Sequence, residues 1–185
     1  PETLKATIAR HGYVNLTPIQ AQGIPAIRAG KDVIGIANTG TGKTAAFLIP
    51  LVENILKDFN YKALIISPTR ELALQTRDEL RKFSGNMPIF STLCIGQSSM
   101  QMQVSQLRHN PHVVVGTPGR LKDLINRGVL KLGMFKMIIL DETDQMLDMG
   151  FIHDIKEIIS YLPADRQSLF FSATVSPAIS SLIAS

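Results

Sequence analysis

Ala37-Asn38-Thr39-Gly40-Thr41-Gly42-Lys43-Thr44 is the stretch of this chain with the most evident chemistry. It follows an apolar run, Val33-Ile34-Gly35-Ile36, and opens a helix-like segment, Ala45-Ala46-Phe47-Leu48. Glycines at 40 and 42 let the backbone turn its N–H groups inward. Lys43 adds a mobile cation, and Thr44 adds a hydroxyl suited to a magnesium ion. A strand–loop–helix junction of this kind cradles the phosphates of a nucleoside triphosphate. Asn38, Thr39, Gly40, Thr41, Gly42, Lys43 and Thr44 are therefore the expected phosphate-binding set. Ala37 stands where the strict G-x-x-x-x-G-K-[ST] pattern begins with glycine. A glycine-rich turn with a chance Lys-Thr pair is the plainer alternative, but strand, loop and helix fall in the order the chemistry needs.

A second, acidic site complements the first. Met137-Ile138-Ile139-Leu140 is a continuous apolar run, as in a strand buried on both faces. It ends in Asp141-Glu142-Thr143-Asp144. Asp141 at such a strand end can hold magnesium, largely through water, together with Thr44. Glu142 can orient and deprotonate an attacking water. Acidic residues also stabilise helix N-termini through the dipole, and that role alone would account for them. The pairing with Lys43-Thr44 favours the catalytic reading, with Lys43, Asp141 and Glu142 as its core.

These residues need a scaffold that brings distant loops together. Short apolar runs predict strands at Val33–Ile36, Ala63–Ile66, Ile89–Ile95, Val113–Val115, Met137–Leu140 and Leu169–Phe171. Helical spacing marks Thr44–Lys57, Arg70–Phe83, Leu121–Asn126 and Phe151–Leu162, with Gly128 as a C-terminal stop. Alternating strands and helices predict an α/β domain: a mostly parallel sheet with helices on both faces. In such a sheet the strand ends share one rim, where open α/β folds bind ligands. Two further loops on that rim suit a sugar–phosphate backbone. Thr117-Pro118-Gly119-Arg120 offers a capping threonine, a proline for the first turn and an arginine; Pro68-Thr69-Arg70 repeats the idea. Taken singly, each reads first as an ordinary helix start.

Composition limits the alternatives. A chain of 185 residues with 45% hydrophobic and 18% charged residues suits one globular domain. No apolar run approaches membrane-spanning length, and no secretory signal opens the sequence. The single cysteine, Cys94, excludes an internal disulfide and lies in an apolar stretch. His11, His109, His112 and His153 are scattered and read as structural. A net charge of +4 permits a nucleic-acid partner without requiring one.

Taken together, the motifs resemble the first RecA-like domain of the DEAD-box ATP-dependent RNA helicases. The resemblance covers essentially the whole chain, 1–185, as a single ATP-binding domain of the three-layer RecA-like P-loop class. Tyr13 and Thr17-Pro18-Ile19-Gln20 match the Q motif, at 12–20, which recognises adenine in that family. Ala37–Thr44 resembles motif I, PTRELA at Pro68–Ala73 motif Ia, and TPGR at Thr117–Arg120 motif Ib. Asp141–Asp144 resembles motif II and leads into Met146–Phe151, similar to the helix that follows it in the family. Ser172-Ala173-Thr174 resembles motif III, which implies coupling among Asp144, Ser172 and Thr174. The resemblance implies ATP or ADP and Mg2+ as cofactors. It implies RNA held by Pro68, Thr69, Arg70, Gly96, Gln97, Thr117, Pro118, Gly119 and Arg120, without strong sequence preference. It implies a cytoplasmic monomer with a second RecA-like domain in cis that this chain does not contain. The isolated lobe is then expected to bind nucleotide but to hydrolyse and unwind poorly.

The chain departs from the family pattern at four points. Thr143 replaces the alanine that names the family. Gln97 follows Gly96 where paired glycines are usual, and Leu16 stands in place of a proline. The aromatic residue upstream of the Q motif would precede Pro1. Gln20 carries a further expectation: its amide offers one donor and one acceptor, which match adenine and clash with guanine. A DNA helicase of the wider superfamily and a non-catalytic nucleotide-responsive clamp are the competing functions. The PTRELA and TPGR loops argue against the first; intact Lys43 and Glu142 argue against the second.

Overall fold

Six short runs become strands: β-branched or apolar residues dominate four of them, while the third, Ser-Thr-Leu-Cys, and the sixth, Gln-Ser-Leu-Phe-Phe-Ser, mix apolar with polar residues. The computed structural model describes residues 1–185. The strands are β1 (Val33–Ile36), β2 (Ala63–Ile66), β3 (Ser91–Cys94), β4 (Val113–Gly116), β5 (Met137–Leu140) and β6 (Gln167–Ser172). They form one sheet in the order β1-β6-β5-β2-β4-β3, and every pairing is parallel. Parallel neighbours require crossovers, and helices supply them. The helices are α1 (Glu2–Arg10), α2 (Pro18–Arg28), α3 (Lys43–Lys57), α4 (Arg70–Ser84), α5 (Met100–Leu107), α6 (Pro118–Asn126), α7 (Thr143–Asp148), α8 (Ile152–Ser160) and α9 (Pro177–Ile183).

The two-residue period of a strand sorts the core into two halves. Ile65, Val115, Ile139 and Phe171 face Phe47, Leu51, Leu80 and Phe83 of α3 and α4. Their neighbours Leu64, Val114, Ile138 and Phe170 face Leu121, Leu124, Ile155 and Ile158 of α6 and α8. Both faces of the sheet are covered, which is why β2, β4 and β5 are buried at every position. Full burial of each such side chain contributes about 1.5–3 kcal/mol, so the core fixes the strand ends that carry the site.

Some boundaries differ from the sequence reading. β3 is shorter than 89–95 because Phe90 N–H donates to the His112 ring rather than to a ladder carbonyl. β6 is longer than 169–171, since polar Gln167 and Ser168 are pinned at its start. Gln167 Nε2 donates to the carbonyls of Ile27 and Lys31, and Ser168 N–H donates to Asp32. α6 begins at Pro118, three residues before the expected Leu121. α8 ends two residues before Leu162. α1, α5 and α9 were not anticipated, and the segment after the acidic cluster is helical from Thr143.

Candidate active site

All six strands point the same way, so the loops that follow them converge on one rim. The loop after β1 and the loop after β5 meet there through Lys43. Its Nζ lies 3.3 Å from Asp141 Oδ1 and also donates to Glu142 Oε1. Thr39 Oγ1 donates to the same Glu142 oxygen at 3.3 Å. All three charged groups are buried: Lys43 is 5% exposed, Asp141 3% and Glu142 9%. Burial pushes the Asp141 carboxyl above its usual range; Lys43 opposes that shift, and Glu142 adds to it. A cation between two buried carboxylates is not needed for packing and marks a candidate functional site.

The phosphate loop has its shape for local reasons. Gly40 and Gly42 have φ of 85° and 82°, which glycine adopts without steric cost. Gly42 is also required by space: a Cβ there would lie 2.5 Å from Gln20 Nε2. Thr41 Oγ1 donates back to Asn38 O and closes the loop. Lys43 then starts α3 directly, aiming the first free N–H groups of that helix at the cleft.

The cleft beside this loop has a volume of about 370 Å³. Tyr13, Thr39, Gly40, Gly42, Lys43, Thr44, Asp141 and Glu142, all singled out from the sequence, line it together with Ala45. Its remaining wall comes from α4, through Leu72, Gln75, Thr76 and Glu79, which sequence reasoning missed. Only the burial pattern of α4 marks them: Thr76 lies on its buried side without being apolar. Tyr13 packs on Phe83 with ring centroids 5.2 Å apart and donates its hydroxyl to Glu79. Burial raises the Tyr13 pKa, and Glu79 raises it further. Three expected nucleotide-binding residues are not on the wall. Asn38 and Thr41 spend their contact within the loop. Gln20 is buried behind it: its Oε1 accepts from Thr17 N–H at 3.0 Å and its Nε2 donates to Gly42 O at 3.0 Å. Gln20 thus fastens the start of α2 to the phosphate loop.

Oxygen donors for a divalent ion are present in the same cleft. Thr44 and Asp141 both line it, and hard oxygen ligands suit Mg2+, which keeps most of its coordination for water and phosphate. No group of three or more His, Cys, Asp or Glu side chains could hold a metal unaided. That donor set fits an ion shared with a nucleotide and does not fit a structural metal.

The other rim loops form a second surface. Arg70 donates to Gln97 Oε1 at 3.0 Å, which joins the loop after β2 to the loop after β3. Arg120 donates to Ser98 O and to Gln103 Oε1, which joins the loop after β4 to the same place. Thr69 caps α4 by accepting from Leu72 N–H. Thr117 occupies the N-cap of α6, but its side chain makes no capping bond, contrary to expectation. Pro118, at the first turn, sets the helix entry instead. Pro68 and Pro118 are buried, so they shape the loops, while Arg70, Gln97 and Gly119 are exposed. Gln97 adopts φ of 58°, the left-handed conformation that a glycine takes easily. Gln103 was not singled out from sequence. It is buried, ties its Nε2 to Ile95 O and holds Arg120 toward the surface.

Asp144 and Thr174 are brought together, with Thr174 Oγ1 donating to Asp144 Oδ2 at 3.2 Å. Ser172 joins the pair indirectly, by donating to Thr174 O at 2.7 Å.

Residues 17–182 match the family model of the DEAD/DEAH box helicases. The chain belongs to that family. It is 49% identical over 179 residues to the ATP-dependent RNA helicase CshA of Limosilactobacillus reuteri, spanning 96% of this chain and 36% of the relative. It is 50% identical over 175 residues to the DEAD-box ATP-dependent RNA helicase CshA of Geobacillus kaustophilus, spanning 94% of this chain and 37% of that one. Among solved structures, a DEAD box protein from the hyperthermophile Methanococcus jannaschii superposes with a TM-score of 0.95 at 39% identity. It covers 100% of this chain and 51% of its own. The RecA-like parallel sheet of this DEAD/DEAH box domain is therefore shared with an independently solved relative, and the chain spans little more than a third of the two curated relatives. No helix is long and apolar enough to cross a membrane.

Proposed function

We propose that this chain is the ATP-binding lobe of an RNA-dependent ATPase that remodels or locally unwinds RNA duplexes. The observation that carries the reading is Lys43, held between Asp141 and Glu142 at the mouth of a glycine-rich loop. A bound triphosphate offers Lys43 a stronger partner than either carboxylate. Lys43 and the N–H groups at the start of α3 hold the phosphates. Thr44 and Asp141 would hold Mg2+, largely through water, and the ion would neutralise phosphate charge. Glu142, released from Lys43, orients a water molecule and accepts its proton. Gln20 steadies the loop from behind, and its amide could meet an adenine edge only by leaving Thr17 N–H and Gly42 O. The relatives named ATP-dependent RNA helicases support RNA as the second ligand. The exposed Arg70 and half-buried Arg120 suit its phosphates, with the exposed Gln97 and Gly119 beside them.

A second RecA-like lobe in cis supplies the other half of the RNA groove and the arginine finger. An arginine finger is worth roughly 10³–10⁵ in rate in related phosphoryl-transfer systems, so this lobe alone hydrolyses ATP poorly. The protein acts as a cytoplasmic monomer, with Asp144, Ser172 and Thr174 relaying nucleotide state to the RNA surface. The test is ATP turnover by this chain joined to its second lobe, with and without single-stranded RNA, in wild type and Glu142→Gln. RNA-stimulated turnover that Glu142→Gln slows at least a hundredfold, with ATP binding retained, is the expected outcome. Equal turnover by wild type and variant removes Glu142 from the role of base.

A further inference from the structure

Thr143 is the residue by which this chain departs from its family at the acidic loop, and its hydroxyl is fully engaged. The side chain is 0% exposed. Its Oγ1 lies 3.2 Å from Leu140 O, at the end of β5, and 3.0 Å from Phe171 O, near the end of β6. The single hydroxyl proton is shared between the two carbonyls, so Thr143 ties two adjacent strand ends together. The alanine usual at this position has no group that could do so.

Its neighbours give that tie a consequence. Glu142 has φ of 52°, a conformation that side chains rarely adopt and that only its surroundings maintain. Asp141 Oδ1 accepts from Glu142 N–H on one side. On the other side, Thr143 is fixed to β6 and Asp144 is bonded to Thr174. Ser172, buried and adjacent to Phe171, donates to Thr174 O. The bonds form a closed circuit: Thr143 to Phe171, along the chain to Ser172 and Thr174, then back to Asp144. Movement of the 172–174 segment therefore pulls on the backbone beside Glu142 at two consecutive residues.

We infer that the Thr143 hydroxyl is a positioning device: it holds Glu142 in its left-handed conformation and couples that residue to the Ser172-Ala173-Thr174 segment. The inference rests on the ATPase reading for its functional half and on geometry alone for its structural half. Thr143 touches no reacting atom; it acts through Glu142.

Three variants test it. T143V keeps the shape and removes the hydroxyl, T143A restores the family's residue, and T143S keeps the hydroxyl. In this chain without nucleotide, amide hydrogen exchange at 171–174 is expected to rise at least threefold in T143V and T143A and to stay at the wild-type rate in T143S. In the two-lobe protein, loss of one buried hydroxyl bond should lower kcat for RNA-stimulated ATP hydrolysis by about three- to tenfold. KM for ATP should stay within twofold, and T143S should restore kcat. Wild-type exchange rates and wild-type kcat in T143V or T143A would overturn the inference, as would failure of T143S to restore either. Unfolding of both T143V and T143A, seen by circular dichroism, would make Thr143 a packing residue and overturn it as well. An inactive wild-type two-lobe protein would count against the ATPase reading instead, and the exchange arm would then decide this inference by itself.

Discussion

Lys43 shows how much one side chain decides here. It is the only cation in contact with Asp141 and Glu142 among the ion pairs of the chain, and both carboxylates are buried. Removing it leaves two uncompensated buried acids and takes away the one cationic side chain that lines the cleft. Spacing alone marked Lys43, Thr44, Asp141 and Glu142, because phosphate chemistry imposes a fixed local order on them. Thr143 and Gln103 carried no such mark. Their partners, Phe171 and Arg120, lie 28 and 17 residues further along the chain, and only folding brings them into contact. Cys94 is the opposite case, a residue whose bland reading the structure supports. It is fully buried, and desolvation pushes its thiol up to about 12, against a small opposing pull from Arg120. At pH 8 it should therefore resist iodoacetamide in the folded chain and react fully in urea. Mass spectrometry of the labelled protein checks this; rapid labelling of the folded chain would show that β3 opens freely.

At the scale of elements, legibility followed periodicity. The bounds of β1, β2 and β5 are those read from their apolar runs. α1 and α5 were illegible because neither has an apolar stripe. α1 buries only Leu4 and Thr7, and α5 only Gln103 and Leu107. α2 contains Gly23 and Pro25, which normally interrupt a helix. The start of β4 holds a further device that no periodicity reveals. His112 Nδ1 accepts from Phe90 N–H at 3.0 Å, and its ring stacks on Phe90 at 5.9 Å. Burial lowers the His112 pKa below its ordinary 6.5, and nearby Lys62 lowers it further, while a carbonyl of Phe59 raises it. The unfolded chain therefore takes up a proton more readily than the folded one. The His112 contribution is complete above about pH 6.5 and is lost as pH falls from there toward the lower folded-state value. The melting temperature should drop between pH 7 and 5.5, and His112→Asn, which keeps an acceptor but cannot titrate, should flatten that part of the slope. An unchanged slope in the variant would assign the pH effect to other groups.

At the scale of the molecule, an all-parallel sheet is what makes two surfaces from six loops. The cleft lined by Lys43, Asp141 and Glu142 and the Arg70–Gln97–Arg120 surface occupy one rim. The parallel α/β class was legible from alternation, while the α4 wall of the cleft was not, because it depends on how a helix lies across the rim. The proposed RNA surface offers backbone-directed donors on a chain of net charge +4. Single-stranded RNA should bind this chain weakly and with little sequence preference, and affinity should fall as salt rises. Arg70→Ala and Arg120→Ala should each reduce the slope of log affinity against log salt by about one. Fluorescence anisotropy across a salt series measures this; tight, base-specific binding that ignores salt would contradict the assigned surface.

The phosphate loop is where the whole reading stands most exposed to measurement. Calorimetric titration of ADP with Mg2+ into this chain, repeated with GDP and with the folded Lys43→Ala variant, tests it directly. The expected result is measurable ADP binding, weaker GDP binding, and at least tenfold loss of ADP affinity in the variant. Undetectable ADP binding by the wild-type chain, or ADP affinity unchanged by Lys43→Ala, would contradict the assignment of this cleft as a nucleotide site.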